Sequence, residues 1–184
     1  MRKVKFTTNL GNIVLELDDD KAPISTENMI EYIKAGHYDD LLFHRVIDGF
    51  MIQGGGYDHE LKKRPPRDPV ENEAANGLKN LKGTVAMART PEIGSGTSQF
   101  FINVVDNPFL DHKDETPEGY GYAVFGKVVE GMDTVDKIRQ VKTGAKGPFS
   151  KDCPLEDVTI EEVLILDGDA EKADDAEKAD DKKA

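Results

Sequence analysis

Between Leu42 and Gly56 the chain reads Leu-Phe-His-Arg-Val-Ile-Asp-Gly-Phe-Met-Ile-Gln-Gly-Gly-Gly, which sets a guanidinium (Arg45) and a carboxamide (Gln53) beside Phe50 and Met51. A guanidinium keeps its charge at any working pH and offers N–H donors in a rigid plane. Period-2 strand geometry would bring this guanidinium, the amide and the large apolar groups close together. The ordinary alternative is an arginine that snorkels to water or pairs with a carboxylate, because an unpaired buried charge is costly.

Other chemistries find little support. His37, His44, His59 and His112 lack metal-site spacing, and the single Cys153 can form neither an internal disulfide nor a thiolate cluster. Gly94-Ser-Gly96 lacks the Gly-Lys-Ser/Thr ending of a phosphate loop, and no Gly-x-Ser-x-Gly elbow occurs. Neither metal nor cofactor is expected.

The segment reads as two short strands, Leu42 to Val46 and Phe50 to Gln53, joined at Asp48-Gly49, a pair that accepts the positive φ of a tight turn. Strand alternation puts Phe43 and Arg45 on one face, while Met51 and Gln53 alternate with Phe50 and Ile52. Upstream, Val4 and Phe6, then Ile13, Leu15 and Leu17, alternate with polar residues as a hairpin with one buried face. Pro23 precedes a helix expected to be capped by Ser25 or Thr26, with Met29, Ile30 and Ile33 on its apolar stripe and Gly36 as its stop.

Tyr57 to Asn80 has little periodicity and reads as a long surface loop. Gly83 to Ala88 is a strand with Thr84, Ala86 and Ala88 on one side and Val85 and Met87 on the other. Gln99 to Val105 and Tyr122 to Val129 are further strands, separated by a polar loop over Asn107 to Gly121. A second helix begins at Gly131, with Met132, Val135 and Ile138 on one face. Val158 to Leu166 is the last strand, and its broken alternation at Glu161-Glu162 suggests a bulge.

The chain's 184 residues suit one domain and a tail, and 38% hydrophobic with 33% charged residues describes an ordinary globular protein. A formal charge of −12 disfavours nonspecific association with nucleic acid or anionic membrane. Residues 1–166 form the expected domain. From 167 to 184 the chain repeats Ala-Glu-Lys-Ala-Asp-Asp without core-forming residues, as a disordered acidic tail would. Met1 to Asn9 carries charge but no apolar run of signal-peptide length, so the cytoplasm is the expected compartment.

The Leu42 to Gly56 segment, Gly83 to Arg89, Gly96 to Asn103, Asn107 to Leu110 and Tyr122 to Met132 together resemble the cyclophilin peptidyl-prolyl isomerases, most of all the small single-domain bacterial cytoplasmic members. The resemblance implies an all-β fold, an eight-stranded antiparallel closed barrel capped by two α-helices, with its site on the outer wall. It implies isomerase activity on Xaa-Pro bonds of peptides and of unfolded or folding proteins, by a monomer.

By the same resemblance Arg45 and Gln53 are catalytic. Phe50, Met51, Phe101 and Leu110 form the proline pocket, Ala88, Arg89 and Thr90 the edge on which the peptide lies, and Gln99, Phe109 and Tyr122 the rim. His44 belongs to the signature and has a supporting role. Phe109 stands where many eukaryotic relatives have tryptophan, and Tyr122 where they have histidine, so cyclosporin binding is expected to be weak. A noncatalytic proline-peptide module or chaperone on the same fold is the alternative, and an interaction protein acting through the tail a third.

Overall fold

The structure, a computed structural model, describes residues 1–166; the acidic repeat at 167–184 lies outside the described residues. The strands are β1 (Arg2–Thr8), β2 (Gly11–Leu17), β3 (Leu41–Leu42), β4 (Arg45–Ile47), β5 (Met51–Gly54), β6 (Thr84–Met87), β7 (Phe100–Asn103), β8 (Val124–Glu130), β9 (Thr143–Lys146), β10 (Phe149–Pro154) and β11 (Thr159–Ile165). The helices are α1 (Pro23–Lys34) and α2 (Met132–Arg139). Nine strands form one antiparallel sheet in the order β3-β11-β1-β2-β8-β6-β7-β5-β4, and β9 and β10 make a separate hairpin.

The first and last strands of that order, β3 and β4, are separated along the chain only by Phe43 and His44, so the sheet must curl until its two edges adjoin. No ladder joins β3 to β4. The expected eight-stranded closed barrel is therefore corrected to a curled nine-stranded sheet whose two end strands follow one another in the chain, with Tyr57 and Asp58 bonded along the outer edge of β3. Inside the curl, Phe100 meets Phe6, Tyr38 and Phe43 at ring-centroid distances of 5.3, 5.6 and 6.0 Å. Val4, Ile13, Leu15, Ile52, Val85 and Ile102 fill the space around them. The register jumps from Thr7↔Glu162 to Thr8↔Ile160, which leaves Glu161 unopposed as the expected bulge.

Helix α1 begins earlier than expected, with Pro23 in its first turn and Ala22 at the cap position, and neither Ser25 nor Thr26 caps it. The acceptor comes from elsewhere. Glu73 takes bonds from the Ser25 N–H (2.6 Å) and hydroxyl (2.7 Å) and from the Ile24 N–H (3.2 Å). A carboxylate suits the positive end of a helix whatever its distance in sequence. Gly36 ends the helix at φ 68°.

That carboxylate also tethers the long segment 57–80, which holds a short 3₁₀ turn at Ala74–Asn76 and single bridges from Tyr57 to Lys63 and from Asp58 to Leu41. Arg64 donates to the carbonyls of His37 and Asp39, each at 2.8 Å, and the Asn76 side chain donates to the Val124 carbonyl at 3.1 Å. The β9–β10 hairpin has no counterpart among the expected strands. Its Phe149 lies against His44 (5.3 Å) and Tyr57 (4.9 Å), behind the strand that carries Arg45.

Candidate active site

On the outer face of the curl, Met51, Ala86, Phe101, Leu110 and Val124 form a second apolar cluster. Met51, Ala86, Phe101 and Val124 lie on β5, β6, β7 and β8 beside residues that face inward, and Leu110 comes from a 3₁₀ turn, Pro108–Leu110. Arg45 joins this face by an irregularity that alternation alone could not show. Phe43 and His44 fall outside any strand, so Phe43 turns into the core while Arg45 is exposed on the outside. The expectation that Phe43 and Arg45 share a face is corrected on that account.

In the β4–β5 register Arg45 stands opposite Gln53, and its Nη1 donates to Gln53 Oε1 at 3.2 Å. Gln53 Nε2 in turn donates to Gln99 Oε1 at 3.0 Å. Gln99 lies against Gly56, where an added Cβ would stand 2.6 Å from its carboxamide carbon, so glycine at 56 leaves the amide its place. The turn between the strands has Gly49 at φ 78°, with the Phe50 N–H bonded to the Ile47 carbonyl at 3.1 Å.

Phe50 stacks on Phe109 at 5.6 Å and 28°. An amide ladder missing from the sequence reading steadies them. The Asn107 side chain donates to the Phe50 carbonyl (3.0 Å) and to Asn103 Oδ1 (2.8 Å), and Asn103 donates to Asn80 Oδ1 (3.0 Å) and Thr84 Oγ1 (2.9 Å). An Asn closing an otherwise apolar strand was the available signal, because a buried amide requires partners.

On the opposite wall the Arg89 guanidinium lies 4.7 Å from the Tyr122 ring centroid, and Tyr122 meets Phe101 edge-on at 5.8 Å. Together Arg45, Phe50, Met51, Gln53, Ala88, Arg89, Phe101, Phe109, Leu110 and Tyr122 enclose a concavity of about 330 Å³. Thr90 lies outside it, exposed, with its hydroxyl 2.9 Å from that of Ser95. Gln99 stands behind Gln53 and reaches the concavity only through it.

A larger hollow of about 750 Å³ lies between α1 and residues 67–70. It lacks aromatic walls, and its one lining cation is already paired, Arg67 with Glu31 at 3.7 Å. The smaller concavity combines an apolar floor with a cation that has no carboxylate within 4.0 Å among the described residues. It is the better site.

Burial, reinforced by the neighbouring Arg45 charge, pulls the His44 imidazole down to about 4. At neutral pH it is an uncharged ring tilted at 53° against Tyr57, centroids 4.6 Å apart. Its Nδ1 is buried without a hydrogen-bond partner. Among the described residues no three His, Cys, Asp or Glu side chains converge as a metal cluster. What the concavity can do is hold a compact ring against Phe50, Met51, Phe101 and Leu110 and direct a guanidinium at its edge.

The sequence model described as cyclophilin type peptidyl-prolyl cis-trans isomerase/CLD matches residues 3–164. Peptidyl-prolyl cis-trans isomerase B of Escherichia coli (strain K12) is 53% identical over 162 residues, covering 88% of this chain and 98% of that one. A peptidyl-prolyl cis-trans isomerase of Streptomyces antibioticus is 52% identical over 166 residues, covering 90% of this chain and 99% of its own length. A Cryptosporidium parvum cyclophilin type isomerase crystallised in the presence of the dipeptide Ala-Pro shares the fold, with a TM-score of 0.72 at 24% identity over 90% of this chain and 99% of that one. The chain belongs to the cyclophilin-type peptidyl-prolyl cis-trans isomerases.

Proposed function

We infer that this chain accelerates cis/trans rotation about Xaa-Pro bonds in peptides and folding proteins, with Arg45 as the donor that stabilises the twisted bond. The observation that carries the reading is an Arg45 with no carboxylate partner among the described residues, braced by Gln53 at 3.2 Å, on the rim of an apolar concavity. Planar amides resist twisting by ~18–20 kcal/mol because resonance is lost. As the bond twists, the proline nitrogen regains its lone pair and becomes an acceptor.

A guanidinium N–H aimed at that nitrogen binds the transition state more tightly than either planar isomer, which is the condition for acceleration. Bringing exchange from tens or hundreds of seconds to milliseconds takes roughly 10⁴ to 10⁵ in rate, about 5.5–7 kcal/mol. One preorganised donor supplies about 2.7–4 kcal/mol of that. Gripping the ring and excluding water supply the rest.

In this reading Phe50, Met51, Phe101 and Leu110 hold the proline ring, and Gln53 bonds the substrate backbone. Ala88, Arg89 and Thr90 pair with the peptide as a short added strand. Gln99, Phe109 and Tyr122 shape the rim. Phe109 offers no indole N–H, so cyclosporin binds weakly. The working unit is a monomeric domain of residues 1–166 acting in the cytoplasm, and the acidic segment contributes solubility.

Exchange NMR on an Ala-Pro test peptide measures the activity directly. Catalysis by the wild-type chain with loss of most of it in a folded Arg45→Ala variant is the expected result, and equal rates for the two would refute the role given to Arg45. A peptide that binds without faster exchange would mark a noncatalytic binding module instead.

A further inference from the structure

We propose that Arg89 makes this chain selective for an acidic residue immediately before the proline. The proposal rests on the reading above, in which the peptide lies along Ala88 to Thr90. The ten residues that enclose the concavity include just two formally charged side chains, and both are arginines, in a protein of net charge −12. Neither has a carboxylate within 4.0 Å among the described residues. The site is thus a local island of positive charge on an acidic molecule.

The two arginines stand in different situations. Arg45 is tied to the Gln53 amide and is assigned to the proline nitrogen. Arg89 is fixed in place by main-chain oxygens. Its Nε donates to the Gly121 carbonyl at 2.9 Å, Nη1 to the Thr90 and Pro91 carbonyls at 3.0 and 3.4 Å, and Nη2 to the Pro117 carbonyl at 2.9 Å. The Tyr122 ring, 4.7 Å away, supports the guanidinium from one face. Carbonyl dipoles orient the group without cancelling its charge, and one Nη2 N–H stays uncommitted.

A cation held in this way loses little conformational freedom when an anion arrives, so more of the attraction survives as selectivity. The acidic surface opposes this only at long range, where salt screens it over roughly 8 Å at physiological ionic strength, while a direct contact is screened far less. A Glu or Asp before the proline reaches Arg89 from the edge on which its own backbone lies. A lysine there meets two like charges.

The test compares Ala-Glu-Pro-Phe, Ala-Gln-Pro-Phe and Ala-Lys-Pro-Phe by exchange NMR at neutral pH and 0.15 M salt. The expected order of kcat/KM is Glu, then Gln, then Lys, with Glu over Gln about three- to fivefold, the scale of a partly screened ion pair. In Arg89→Gln the Glu:Gln ratio falls towards one whatever happens to the absolute rates, while Arg89→Lys retains most of it. A ratio at or below one in the wild-type chain overturns the proposal, and so does an undiminished ratio in a folded Arg89→Gln protein. If that variant does not fold, Arg89→Met is read in its place, and an undiminished Glu:Gln ratio in it likewise overturns the proposal. Should no peptide be accelerated, the isomerase reading fails instead, and calorimetric titration of the same three peptides still reads the charge preference.

Discussion

The inner and outer faces of the curled sheet are built from the same strands and are both apolar, yet they serve different ends. Along β7, Phe100 and Ile102 enter the core while Phe101, between them, faces out; along β5, Ile52 enters while Met51 and Gln53 face out. The inner cluster is closed on all sides by its own aromatics and the two helices. The outer one is left open over about 330 Å³ and has Arg45 and Gln53 at its margin. Phe109, 58% exposed, leaves apolar area uncovered beside a cation with no carboxylate partner among the described residues, an arrangement that serves something other than stability.

The widest separation between the two faces should come from the paired substitutions Phe100→Ala and Phe101→Ala. Truncating Phe100, 1% exposed amid Phe6, Tyr38 and Phe43, should cost about 3–5 kcal/mol in denaturant unfolding. Truncating Phe101, 4% exposed, should cost stability too, but should lower kcat/KM far more than Phe100→Ala when both are assayed folded. Equal losses of kcat/KM would erase the distinction drawn here.

Next in size, Arg45→Ala should lose roughly 10²–10³ in kcat/KM, the range for one preorganised donor. Its melting temperature should barely move, because the side chain is exposed. A large stability loss would make Arg45 a structural residue.

His44 tests the boundary between the faces. Its folded value of about 4 lies below the ordinary 6.5, so between those pH values the unfolded chain binds the extra proton. Its contribution is fully present above pH 6.5 and is lost as pH falls towards about 4, by roughly 3 kcal/mol at most. Urea titrations from pH 7 to 4 should show this slope, and His44→Gln should flatten it. An unchanged slope would place the acid sensitivity elsewhere.

The smallest expected effect is at the rim. Phe109→Trp restores an indole N–H over Phe50 and should tighten cyclosporin binding by about tenfold, the scale of one added hydrogen bond. Calorimetry would measure it, and an unaltered affinity would count against the account of that position.

Alternation made β1, β2, β6 and β7 legible, and the break at Glu161 announced the bulge. The outer site was legible because its residues recur as a family pattern; the geometry shows how segments as distant as Arg45 and Tyr122 come to share one hollow. What escaped had non-local causes. Ser25 and Thr26 look like caps, but the acceptor is Glu73, far along the chain. The face of Phe43 depended on two residues leaving the strand. The β9–β10 hairpin has few buried side chains, among them Cys153 and Pro154, so its sequence lacks the apolar rhythm that marks a strand.

The place of β4 at the end of the sheet bears on motion as well as shape. Strand β1 is bonded on both sides, to β2 and β11, whereas β4 is bonded only to β5. Deuterium should therefore replace amide protons at Val46 and Ile47 well before it reaches Val4 and Phe6. Were both pairs to exchange alike, the end position of β4 would carry no extra mobility, and the wall that holds Arg45 would be as firm as the interior.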